Sequence, residues 1–201
     1  MIRLNDEFIP PAQGRLSECA IPVLIAVLQQ GDTAARKEAL AKLVELRAEK
    51  ELASCLGSED PLTVQLATAG LWECWLNECG TAARQMMDEG IELMNAGHLE
   101  AAAKVFQGLM EQYPDWAEAI NKQATLLYLW DKPAESIELC VKAVALKPDH
   151  FGAWNGIALC AAQLEDWRTA LFAAKKALSI QPGADSNKEI IKLAKAKLNE
   201  V

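Results

Sequence analysis

Histidine and tyrosine are scarce, two of each in 201 residues. Neither His98 nor His150 shares a metal-ligand spacing with the other or with a close cysteine pair, so the sequence indicates no zinc centre. Also missing are a GxSxG elbow, a GxxxxGK phosphate loop and a GxGxxG turn after a strand; no convincing strand is visible anywhere. These absences point away from nucleophilic hydrolysis and nucleotide chemistry, and the reading is a non-enzyme with no cofactor and no metal. Basic residues are outnumbered, with Lys+Arg 20 against Asp+Glu 28 and a net charge of -8, so nothing draws the chain to nucleic acid. The acidic residues recur at helical spacings, as on a solvated face. No apolar run approaches the roughly 18 residues of a membrane span. The opening "MIRLNDEFIPPAQGR" lacks an apolar signal core, so secretion is not expected. Six cysteines (Cys19, Cys55, Cys74, Cys79, Cys140, Cys160) include no CxxC pair and read as reduced thiols among apolar helical patterns. They fit a reducing compartment, cytoplasmic or organellar. Cys140 and Cys160 fall on neighbouring helices and are able to meet.

What is present is hydrophobicity, 51% of residues, arranged with helical periodicity. Pro114, Pro148 and Pro182 recur at intervals of 34, each after an amphipathic stretch. Between them the unit is helix, turn, helix, turn. In the second unit Ile120, Ala124 and Leu127 mark the core-facing stripe of the first helix, matched in the third by Trp154, Ala158 and Ala161. The second helices carry small or aromatic inner residues: Ala102 and Phe106, then Ala170, Ala174 and Ala177.

These residues resemble the tetratricopeptide repeat (TPR). Gly90, "NAGHLEAAAKVF" and Pro114 carry the likeness in the first unit; Trp154, Ala158, "EDWRTAL", Ala177 and Pro182 carry it in the third. Departures are Met86 where the family prefers tryptophan, and Asp131 and Ser136 where it prefers glycine and alanine. The expected fold is all-α: a right-handed α-solenoid of three TPR units (81–116, 117–150, 151–184) with a capping helix at 185–201. In that helix Ile190, Ile191, Leu193, Ala194 and Leu198 form the apolar side, and Lys197 snorkels from it. Residues 1–80 follow another pattern. "VLQQGDTAARKEALAKL" aligns with "CLGSEDPLTVQLATAGL" at an offset of 28, resembling two short HEAT-like helical pairs continuous with the array. Asp32 and Asp60 each stand to cap a following helix. Trp72 and Trp75 are expected at the seam between the sections.

Asn121, Thr125 and Tyr128 share one stripe of a helix, about 100° from the core stripe. The resemblance implies that such stripes line a concave, peptide-binding groove. The third-unit equivalent is Asn155, Leu159 and Ala162 with Gln163 beside it; the first-unit equivalent is Met87, Ile91 and Met94, with Arg84 and Asn95 at its ends. An amide both donates and accepts, so Asn121 and Asn155 can hold a peptide backbone of any sequence. Some TPR proteins bind acidic chaperone tails through clustered cations; here Arg84 and Lys122 are the only ones nearby, which disfavours that ligand. His150, after Pro148-Asp149, reads as a turn residue. The expected function is a protein-interaction module, an adaptor or assembly factor that binds an extended or helical segment of another protein. The alternative is a structural subunit that self-associates, as a homo-oligomer, or docks permanently through its N-terminal section.

Overall fold

The computed structural model describes residues 13–199 and, from residue 20 onward, their side chains. The signal-core reading at 1–15, apart from its last three residues, and the thiol of Cys19 lie outside what is described, as do the last two residues of the capping segment. Eleven α-helices follow one another: α1 (Gln13–Gln30), α2 (Thr33–Glu45), α3 (Glu49–Ser54), α4 (Pro61–Leu76), α5 (Thr81–Asn95), α6 (Leu99–Gln112), α7 (Ala117–Leu129), α8 (Pro133–Leu146), α9 (Phe151–Gln163), α10 (Trp167–Ile180) and α11 (Asp185–Asn199). No strand occurs among the described residues. The packing divides the chain into residues 1–71 and 72–201.

In the first unit, Leu28, Ala39, Leu43, Leu52, Leu56, Ala67 and Leu71 are buried. The Asp32 side chain accepts from the Ala35 amide at 2.9 Å and starts α2. Asp60 starts α4, accepting from the Leu62 and Thr63 amides and from the Thr63 hydroxyl while pairing with Arg36. The Arg36 and Thr63 hydrogen bonds hold the Asp60 carboxyl down at about 2.

The second unit is three helix pairs, α5/α6, α7/α8 and α9/α10, closed by α11. Each helix packs on the next, and the first helices of adjacent pairs also touch. Close approach comes from small side chains: Ala153, Ala158 and Ala161 of α9 and Ala170, Ala173, Ala174 and Ala177 of α10 are all buried. A Cβ on Gly90 would meet the Phe106 ring at 2.5 Å, so glycine is what lets α6 seat that ring against α5. Ser136, standing where alanine is the rule, donates its hydroxyl to the Ala124 carbonyl at 2.8 Å and so satisfies its own burial. The turn inside each pair places one residue in the left-handed region: Gly97 (φ 79), Asp131 (φ 56) and Glu165 (φ 58), again 34 apart. On α11, Ile190 and Ala194 are buried, but Leu193 is 46% exposed and does not join the expected apolar side. Leucine at 193 lies roughly 100° from Ala194, beyond the strip that the neighbouring helices cover.

Candidate functional site

The first turns of α7 and α9 carry a buried polar cluster. Glu118 and His150 are both fully buried, with His150 Nε2 2.9 Å from Glu118 Oε2. His150 Nδ1 accepts from the Ala153 amide at 3.1 Å, making the ring the N-terminal cap of α9. That bond assigns the ring proton to Nε2, which donates it to Glu118. Lys122 Nζ reaches the other carboxylate oxygen at 2.9 Å, and Asn121 Nδ2 donates to Oε2 at 3.1 Å. Burial raises the Glu118 carboxyl, but the His150 hydrogen bond and the Lys122 charge outweigh it and leave the group below its ordinary value.

Trp72 and Trp75, at the end of α4, cover this cluster within the second unit. Trp75 stacks on His150 with centroids 4.3 Å apart, and Trp72 stands edge-on to Trp75, His150 and Phe151. Lys122 Nζ lies 5.1 Å from the Trp72 ring centre. Trp116 Nε1 donates to the Trp75 carbonyl at 2.7 Å. Gly152 makes room: a Cβ there would meet Trp72 at 2.5 Å. His150 does close the turn through Pro148 and Asp149, its amide donating to the Lys147 carbonyl at 3.0 Å; what the sequence does not show is its buried partner. A charged partner 32 residues away in sequence makes it the capping centre of a buried pair. Both ring nitrogens are engaged and both side chains are fully buried, and the pair joins the first turn of α7 to that of α9.

The expected groove residues separate into three groups. Met87 is fully buried against Phe106 and its neighbours, and Ile91 and Met94 are half-buried on the same core, so Met87 is corrected from a groove residue to a core residue. Asn121 is 5% exposed with its amide committed to Glu118, and Lys122 is committed to Glu118 and Trp72. Arg84 holds Asp88 at 2.8 Å and Glu73 at 2.8 Å. What stays accessible is Asn95 on α5, Thr125 and Tyr128 on α7, and Asn155, Leu159 and Gln163 on α9, with Asn155 and Leu159 half-buried. The Asn155 Oδ1 is buried without a hydrogen-bond partner among the described residues. Gln163 donates to Asp131, tying the far ends of α7 and α9 as Glu118 and His150 tie the near ends.

The domain is similar to several solved structures. The first TPR of Spaghetti (RPAP3), bound to the HSP90 peptide SRMEEVD, matches with a TM-score of 0.55 and 17% identity over 57% of this chain and 90% of that one. The TPR2B domain of yeast Sti1 in complex with pHsp70 matches at 0.51 and 21% identity over 58% and 96%. MamA matches at 0.52 and 16% identity over 93% and 85%. This is a tetratricopeptide-repeat fold. No protein-family profile and no curated protein matches the sequence.

In the TPR frame, α5, α7 and α9 are the first helices of successive repeats, and the Glu118 cluster sits on that first-helix face. Sequence reasoning found the stripe but missed that the chain's own tryptophans cover its near half. The one signal was a charged residue, Glu118, inside the otherwise apolar "WAEAI". The remaining polar chemistry is sparse. Burial pushes the Cys140 thiol up to about 12, with the Cys160 thiol contributing, and Cys160 itself donates to Ser136 Oγ at 3.3 Å. Cys140 and Cys160 are both free thiols. Among the described residues no group of three or more His, Cys, Asp or Glu side chains is placed to hold a metal ion. None of the described helices is long and apolar enough to cross a membrane.

Proposed function

We propose that the chain is a non-catalytic protein-binding module that holds a segment of another protein, extended or helical, along the first-helix face of α7 and α9, as an adaptor or assembly factor. The observation that carries this reading is Asn155: a half-buried amide whose Oδ1 lacks a partner among the described residues, with Leu159 half-buried one turn further along α9 and Tyr128, toward the far end of α7, 37% exposed. A peptide amide would satisfy that oxygen, and the tyrosine and leucine would take apolar side chains. Two of the similar structures are complexes with chaperone peptides, which supports peptide binding in this fold. Acidic chaperone tails are not the favoured ligand here, because Arg84 and Lys122 already neutralise carboxylates of their own. The free thiols of Cys55, Cys140 and Cys160 support a reducing compartment, cytoplasmic or organellar.

The test is a cross-linked pull-down with wild type and the double variant Tyr128→Ala, Asn155→Ala, leaving Asn121 intact because its amide supports Glu118. A partner captured by wild type and lost in a variant of unchanged helicity is the expected result. Identical capture by both proteins would refute the reading. A second reading, self-association or permanent docking through the N-terminal unit, is supported by Val23, 63% exposed, beside a cavity of about 580 Å³ lined by Ile21, Pro22 and Ile25. Sedimentation showing a mass that grows with concentration, and reverts in Val23→Lys, would favour it.

A further inference from the structure

The opposite side of α7 carries a second feature. Gln123, Leu127 and Trp130 stand at i, i+4 and i+7, two residues and so about 200° around the helix from Asn121, Thr125 and Tyr128. They wall a cavity of about 360 Å³ between α6, α7 and α8, at the small end of the roughly 300 to 1,000 Å³ typical of ligand sites. Gln107 of α6 and Glu135 and Glu138 of α8 complete its polar rim, with Lys132 at the start of α8.

Its chemistry is one-sided. Gln123 is 5% exposed, yet its Oε1 is buried with no hydrogen-bond partner among the described residues. An orphaned buried amide oxygen is costly unless something donates to it. Lys132 pairs with Glu135 at 3.3 Å, and those two charges cancel. Glu138 is exposed and no ion pair is formed by it among the described residues, so the cavity carries one net negative charge. The half-buried indole of Trp130 adds an aromatic surface.

We infer that this cavity receives the guanidinium of an arginine on a partner protein. The planar cation stacks on Trp130, donates one N–H to Gln123 Oε1, and directs the others to Glu138. A lysine ammonium supplies the charge but not the flat, forked donors that an indole and two separated acceptors call for. The site is independent of the first-helix face, so it stands or falls apart from the proposed groove.

The test uses the full ¹⁵N-labelled chain titrated with a blocked alanine–arginine–alanine tripeptide, following the Trp130 indole N–H and the Gln123 side-chain amide. Saturable shifts at both are expected. Glu138→Gln and the apolar Gln123→Met should each weaken the affinity about tenfold, the scale of one charge-assisted hydrogen bond. Glu138 is exposed, so its variant keeps the test informative even where Gln123→Met perturbs packing. The assignment is overturned by unsaturable shifts, by a Glu138→Gln affinity equal to wild type, or by equally tight binding of the lysine tripeptide.

Discussion

At the scale of single residues, the Glu118–His150 pair is the element of this protein most exposed to chemical perturbation. Both side chains are fully buried, and each satisfies the other. His150→Ala removes the cap of α9 and leaves a buried carboxylate facing only Lys122 and Asn121. Loss of one hydrogen-bond partner from a buried group costs about 1 to 3 kcal/mol, to which the space vacated by the imidazole adds, and a urea titration would read the sum directly. The carboxyl of Glu118 lies below its ordinary value of 4.5 in the folded state. Its contribution is therefore complete above pH 4.5 and is lost as pH falls through the lower folded value. Other carboxylates, Asp60 among them, titrate in the same acid range, so the difference between wild type and Glu118→Gln isolates this one. That difference should stay constant in melts taken from pH 6 down to about 4.5 and shrink as the pH is lowered further.

At the scale of elements, the turns inside the helix pairs show how a repeat tolerates its own departures. Gly97 occupies a left-handed conformation without cost, whereas Glu165 holds the same conformation with a Cβ, a penalty of roughly 1 to 2 kcal/mol. Glu165→Gly should raise stability by about 1 kcal/mol, part of the strain being offset by the freer unfolded chain. Asp131→Gly should gain less, since aspartate accepts the left-handed region more readily and Asp131 also takes a hydrogen bond from Gln163. Denaturant midpoints of the two variants, compared at equal slope, test the order. The proline period and the alanine stripes made these pairs legible in the sequence, because local spacing reports local packing. Asn121 was legible only as a stripe position. That its amide turns toward Glu118, and that Met87 turns into the core, depends on where α4 ends and on the rotation of α5, and neither leaves a local mark.

At the scale of the whole molecule, a repeat array is held by nearest neighbours, so its last helix protects everything before it. Ala194 of α11 is fully buried, and Ile190 joins the cluster that includes Ala170, Ala173 and Ala174. Ala194→Glu places a charge at that interface and should cost at least about 3 kcal/mol, by steric overlap and burial of an unpaired carboxylate. Circular dichroism should show the transition moving to lower temperature, and amide exchange should rise first in α10 and α11, then in α9. Even acceleration across α5 to α11 would mean that the array unfolds as one block.

Trp72 and Trp75 stand 5.1 Å apart with planes 82° from parallel, over a histidine ring. Two indoles that close share their electronic excitation, and a neighbouring imidazole drains emission when it takes up a proton. The lid over α7 and α9 thus carries its own optical label: if the rings leave the histidine the emission changes, and if they leave each other the coupled dichroism disappears, with no dye attached.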